Sequence, residues 1–138
     1  FYSRQFEVSN NNIKGFTARG ISVIDFVQSG VVAGNHVDGY LSSAPADPTA
    51  EACLVIESVN GFGSEPKFIN VSENTFCRAK NGVKLLGYNA SYPITNINVS
   101  GNTIHHCAEG TNGSDTCVGI EALWGEDLSI HNNAIDKM

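Results

Sequence analysis

Basic residues are scarce in this sequence: 8 Lys and Arg stand against 14 Asp and Glu, for a net charge of −6. A duplex-DNA binder needs surplus cations to neutralise phosphates, so nucleic acid is not an expected partner. Cysteine is nearly as sparse. Cys53, Cys77, Cys107 and Cys117 are too few for a disulfide scaffold and form no CxxC pair, and only Cys107 and Cys117 could bridge one loop. No apolar run approaches the roughly 18 residues of a membrane span, and no charged-then-apolar leader opens the chain, so membrane insertion is not expected. An α-helical period of usable length is also missing. What remains, 41% hydrophobic and 16% charged residues, suffices for one packed domain over residues 1–138 and argues against intrinsic disorder. A start at Phe1 rather than Met reads as a processed product or a fragment of a longer chain.

Asn and Gly are abundant and spaced rather than clumped, which suggests recurring turns. Five segments align: Phe6–Ile13, Gly30–Val37, Ile69–Phe76, Ile97–Ile104 and Leu128–Ile135. Each carries an Asn at the same place, namely Asn11, Asn35, Asn74, Asn102 and Asn133, at spacings of 24, 39, 28 and 31 residues. A fixed motif at unequal spacing implies one structural unit with variable loops.

The parity of the motif predicts its shape. Ile97 and Val99 are two apart and share a strand face, as do Asn102 and Ile104, but the step from Val99 to Asn102 is three. If both halves point inward, the chain must turn a corner at Ser100-Gly101. The residues before the repeated Asn are Asn10, Gly34, Glu73, Gly101 and Asn132, and all but Glu73 are types that tolerate a left-handed backbone. Glu73 should therefore be strained or use another corner geometry. A third strand is expected after each corner, with Ile21 and Val23, Cys53 and Val55, Val83 and Leu85, and Ile120 and Ala122 pointing inward after Gly20, Ala52, Gly82 and Gly119. Three short strands per turn, stacked about 4.8 Å apart, describe a parallel β-helix of about five turns with an Asn ladder at one corner. A β-sandwich of ordinary hairpins does not explain five corners of one type.

The V-S-x-N-x-I corners followed by G-I-x-V strands, running from Phe6 to Ile135, resemble the right-handed parallel β-helix of the pectin-lyase-like superfamily. That resemblance implies an all-β solenoid and a polysaccharide partner, since members include pectate lyases, polygalacturonases, alginate epimerases and phage tailspikes. It points to a section of a phage tailspike, homotrimeric and exposed on the virion or outside the cell, with depolymerase activity as an option. A secreted polysaccharide lyase or hydrolase, or a non-catalytic stalk or adhesin, are the alternatives.

Loop insertions from Asp38 to Glu51, Ser58 to Lys67, Gly87 to Pro93 and Cys107 to Val118 would wall a groove for a linear polymer. Aligning the third strands puts Asp25 and Glu57 at equivalent positions, near the roughly 5–5.5 Å carboxyl separation of retaining glycosidases, so that one could serve as general acid. Both splaying into water at a strand end is the competing reading. Tyr88, Tyr92 and Trp124 fall on the same flank and could stack on sugars, or seal the fold or a subunit contact. Glu121 and Lys84 occupy equivalent positions, where cross-strand pairing accounts for them and substrate contact is a further role. His105, His106, Glu109 and Asp115 lack recognisable ligand spacing, so neither metal nor cofactor is expected. Cys53 should pack as a small apolar residue, and the sequons at Asn70, Asn89, Asn98 and Asn112 are expected by-products of Asn-rich turns.

Overall fold

The computed structural model describes residues 5–39, 50–61, 63–105 and 118–136, and among them there is no helix. The strands are β1 (Phe6–Ser9), β2 (Asn12–Lys14), β3 (Arg19–Ile24), β4 (Gly30–Ala33), β5 (His36–Asp38), β6 (Ala52–Glu57), β7 (Lys67–Ser72), β8 (Thr75–Cys77), β9 (Asn81–Leu86), β10 (Ile94–Ser100), β11 (Thr103–His105), β12 (Val118–Leu123), β13 (Gly125–Glu126), β14 (Ser129–His131) and β15 (Ala134–Asp136). They form three sheets: β1-β4-β7-β10 with β13 and β14 beside β10, then β2-β5-β8-β11-β15, then β3-β6-β9-β12. Every strand pair is parallel. The chain visits the three sheets in the same cyclic order throughout, a connectivity consistent with a parallel β-helix.

Register places like residues in columns. Val8, Val32, Val71, Val99 and Ile130 align in the first sheet. Ile13, Val37, Phe76, Ile104 and Ile135 align in the second. In the third, Ile21, Leu54, Val83 and Ile120 form one column and Val23, Ile56, Leu85 and Ala122 another. The central members are fully buried and make up the apolar core. Where the column is short of volume, a neighbour fills it: Gly30 lies beneath Phe6, and a Cβ at Gly30 would run into the Phe6 ring.

The third-strand register corrects the alignment read from sequence by one residue. Leu54 and Ile56, not Cys53 and Val55, lie opposite Ile21 and Val23, and Cys53, not Ala52, is the counterpart of Gly20 and Gly82. The physical reason is that β6 is buried on both faces from Ala52 to Glu57, so its sequence carries no alternation from which to read a face. Cys53 is buried, and its thiol lies 3.4 Å from the carbonyl oxygens of both Val37 and Cys77.

Bends after the first strand of each unit share one geometry. Asn10, Gly34, Glu73, Gly101 and Asn132 all adopt φ between 54° and 66°. Glu73 thus takes the strained option instead of a different corner. A left-handed conformation costs an ordinary L-residue about 1 kcal/mol, and Asn or Gly relieves it. Glu73→Asn should accordingly stabilise the protein by about 0.5–1 kcal/mol, read as a higher urea midpoint at unchanged m; a lower midpoint would contradict the strain.

Beside these bends the repeated amides stack. Asn11 donates its backbone N–H and its Nδ2 to Asn35 Oδ1, both at 3.0 Å. Asn35 does the same to Asn74 at 2.9 Å, Asn74 to Asn102, and Asn102 to Asn133. Each amide also reaches the backbone: Asn35 Nδ2 to Val8 O, Asn74 to Val32 O, Asn102 to Val71 O and Asn133 to Val99 O. Buried polar groups are tolerated only when paired, and this ladder pairs them.

Candidate functional site

The corner between the third sheet and the first collects the exposed rings. Asp25, Ser58, Gly87 and Trp124 occupy equivalent positions just past β3, β6, β9 and β12, tied by Asp25 N–H to Glu57 O, Ser58 N–H to Leu86 O and Gly87 N–H to Leu123 O. Trp124 is 53% and Tyr88 48% exposed, and Tyr92 and Phe26 are exposed as well. The Tyr88 and Tyr92 rings stand 6.4 Å apart at 59°, on a short turn closed by Tyr88 N–H to Tyr92 O and Tyr92 N–H to Asn89 O. Gly61 sits against both rings, since a Cβ there would lie 2.6 Å from each. Gly87 leaves room for the Trp124 backbone, whose carbonyl a Cβ at Gly87 would strike.

Backbone strain marks the same region. Phe26, Phe68 and Trp124 have φ of 54°, 53° and 51°, and all three side chains are exposed. Bulky residues avoid this conformation unless the surroundings impose it, and such outliers cluster where proteins bind. For Phe68 the cause is a bend that recurs at Asn96 and Asp127, both also left-handed. The signal was present in sequence: each of these residues immediately precedes an aligned segment, at Ile69, Ile97 and Leu128.

The carboxylates are arranged differently from the dyad expected. Ile24, not Asp25, lies opposite Glu57. Asp25 is buried, and its oxygens accept hydrogen bonds from Val59 N–H at 3.0 Å and Asn60 Nδ2 at 2.8 Å, so it ties down the loop after β6. Glu57 is also buried and pairs with the Arg19 guanidinium. The two acids therefore do not splay into water, and neither faces the other as proton donor and acceptor. The one-residue register shift explains it, because consecutive positions on a strand send side chains to opposite faces.

An ion network runs across the third sheet, of which the sequence indicated only the Lys84–Glu121 pair. Arg19 bridges Glu57 and Glu51, with Nε 3.4 Å from Glu51 Oε2, and Lys84 bridges Glu51 at 3.0 Å and Glu121 at 3.5 Å. Lys84 and Glu121 are direct register partners. The hydrogen bond from Lys84 holds the Glu51 carboxyl below the ordinary carboxylate range, against a desolvation that works upward. Glu57, by its hydrogen bond, raises the Arg19 guanidinium further. A second pair, Asp38 and Arg78, is bidentate and holds a buried carboxylate. Burial pushes the neighbouring Cys77 thiol up, and the Asp38 charge adds to it.

Among the described residues no three His, Cys, Asp or Glu side chains gather as metal ligands. His106, Cys107, Glu109, Asn112, Asp115 and Cys117 lie outside the described residues, as does most of the insertion between Asp38 and Glu51. What the described surface offers chemically is a set of exposed rings, while Arg19 and Lys84 are engaged by carboxylates. No protein-family model, curated protein or solved structure matches this chain.

Proposed function

We propose that this chain is a section of a right-handed parallel β-helix of about five turns, similar to the pectin-lyase-like solenoids of phage tailspikes, that recognises a surface polysaccharide. The observation that carries the reading is the set of exposed rings at one corner, Phe26, Tyr88, Tyr92 and Trp124, of which Phe26 and Trp124 have a left-handed backbone. Ring faces stack on the apolar face of a sugar, and a row of them beside parallel strands suits a linear polymer. Arg19, Arg78 and Lys84 are engaged by carboxylates, which favours a neutral sugar over a uronate chain. Recognition is favoured over cleavage, because Asp25 and Glu57 are committed to a loop and to Arg19. A homotrimer on a virion or cell-exterior surface is the assembly in which such a corner would meet its polymer.

Trp124 is the sole tryptophan, so its fluorescence reports directly on the site. Titration with bacterial capsule or lipopolysaccharide should change that emission. Tyr88→Ala should weaken binding roughly fivefold, as loss of about 1 kcal/mol of ring stacking implies. Trp124→Ala, followed by calorimetry, should do at least as much. Asp25→Asn and Glu57→Gln should leave no difference in reducing-sugar release. Wild-type affinity in both ring variants would sink the reading.

A further inference from the structure

Given the polysaccharide recognition proposed above, on which this rests, we infer that Tyr88 and Tyr92 form a preset platform for two successive sugars whose planes are turned against each other. Such a platform selects a wound glycan over a flat, ribbon-like one. The ring centroids stand 6.4 Å apart with the planes at 59°, and both rings are exposed. A sugar stacks with its apolar face parallel to the ring beneath it. Two sugars engaged by the two rings therefore lie at about the angle of the rings. In a cellulose-type glucan successive sugars share one plane, so one of the two rings stays uncovered. In an amylose-type glucan each sugar is turned against the last, and both rings are used.

The angle selects only if it is held, and two loops hold it. On the loop after β9, Tyr88 N–H donates to Tyr92 O, Tyr92 N–H to Asn89 O, and Ser91 N–H to Asn89 Oδ1 at 2.8 Å, so the residues that carry the rings close one tight turn. On the loop after β6, Gly61 is buried against both rings. A Cβ at Gly61 would lie 2.6 Å from Tyr88 Cδ1 and 2.6 Å from Tyr92 Cδ2, too close for the rings to stay where they are.

Gly61 is fixed in turn by a buried acid. The Asp25 carboxylate accepts from Val59 N–H and Asn60 Nδ2, Asn60 O accepts from Ser64 Oγ at 3.0 Å, and Ser64 O accepts from Phe26 N–H, next to Asp25. Asp25 is thus a positioning residue that acts on the ring pair through Asn60 and Gly61. Rings ordered before binding lose little freedom when a sugar arrives. Neither phenol hydroxyl has a hydrogen-bond partner among the described residues, so both are free for sugar hydroxyls. A Cβ at Gly87 would lie 2.9 Å from Trp124 Cβ and 3.0 Å from Pro93 Cα, so Trp124 borders the same turn and its emission reports on it.

Two glucose hexamers that differ in linkage alone test this, each competing with bacterial capsule or lipopolysaccharide for the full chain while Trp124 emission is followed. Maltohexaose should compete roughly fivefold better than cellohexaose, the effect of one more ring stacked. Gly61→Ala should bring the two hexamers to about equal competition with an unchanged β-sheet circular dichroism spectrum. Asp25→Asn should move the ratio the same way, because a single amide oxygen replaces two acceptors. Equal competition in the wild type, a preference for cellohexaose, no competition by either hexamer, or a preference unchanged in both variants would overturn the inference. Recognition itself would then still stand on the response to capsule or lipopolysaccharide, whereas no response to either polysaccharide would remove both.

Discussion

Replacing Asn74 by Leu should destabilise the protein by about 3–4 kcal/mol, the sum of several buried groups losing partners at once. Asn74 Oδ1 is the acceptor for both the backbone N–H and the Nδ2 of Asn35. Its own Nδ2 serves Val32 O, Ser72 O and Asn102 Oδ1. Leucine fits the volume and fulfils none of these contacts. The buried groups of Asn35 are then stranded away from water, which costs more than the bonds themselves contribute. Among the described residues Asn133 has an amide neighbour on one side only and lies half-buried next to a strand bend open to solvent, and Asn133→Leu should cost about 1 kcal/mol. Urea denaturation of the two variants compares them directly. Equal losses would mean that the ladder is decoration and that the apolar columns alone set stability.

Phe76→Ala should cost about 3–5 kcal/mol by opening a cavity in the centre of the second sheet. Phe76 is the largest of the fully buried side chains and lies in register between Val37 and Ile104. Neither neighbour can move inward without breaking its own strand pairing, so little of the void can collapse. Ile135 belongs to the same column but is partly exposed, and Ile135→Ala should cost less than about 1 kcal/mol. The measurement is again a denaturant midpoint, with the m-value as a second readout. In a stack of like units stability is a sum of nearest-neighbour terms, so a central cavity also threatens cooperativity. A reduced m-value in Phe76→Ala would locate the break there. A loss no greater than that of Ile135→Ala would contradict the column.

Both of these positions were readable in the sequence. The corner at Asn74 was legible because the step of three between Val71 and Asn74 breaks the period of a flat strand, and the same break recurs in every aligned segment. The burial of Phe76 followed from the same parity. Along the third strand, by contrast, the residues from Ala52 to Glu57 are all buried, so inward and outward positions look alike in sequence. The slip of one residue that followed put Asp25 opposite Glu57, where pairing places Ile24. It also hid the true partners of both acids: Arg19 comes from the preceding strand and Asn60 from a loop, and neither position is implied by a repeat.

What the amino-acid sequence alone determined is whatever depends on local periodicity: short strands, bends that need left-handed residues, and five amides at one station of a repeat. Those features arise from sterics and alternation over a few residues, and they survive in any context that stacks them. The tertiary structure alone decided the register of the strand buried on both faces and the charge network that neutralises Glu51 and Glu57. Each of these depends on which residues from distant segments lie one strand spacing apart. That distance is set by loops of unequal length, and no local pattern records it.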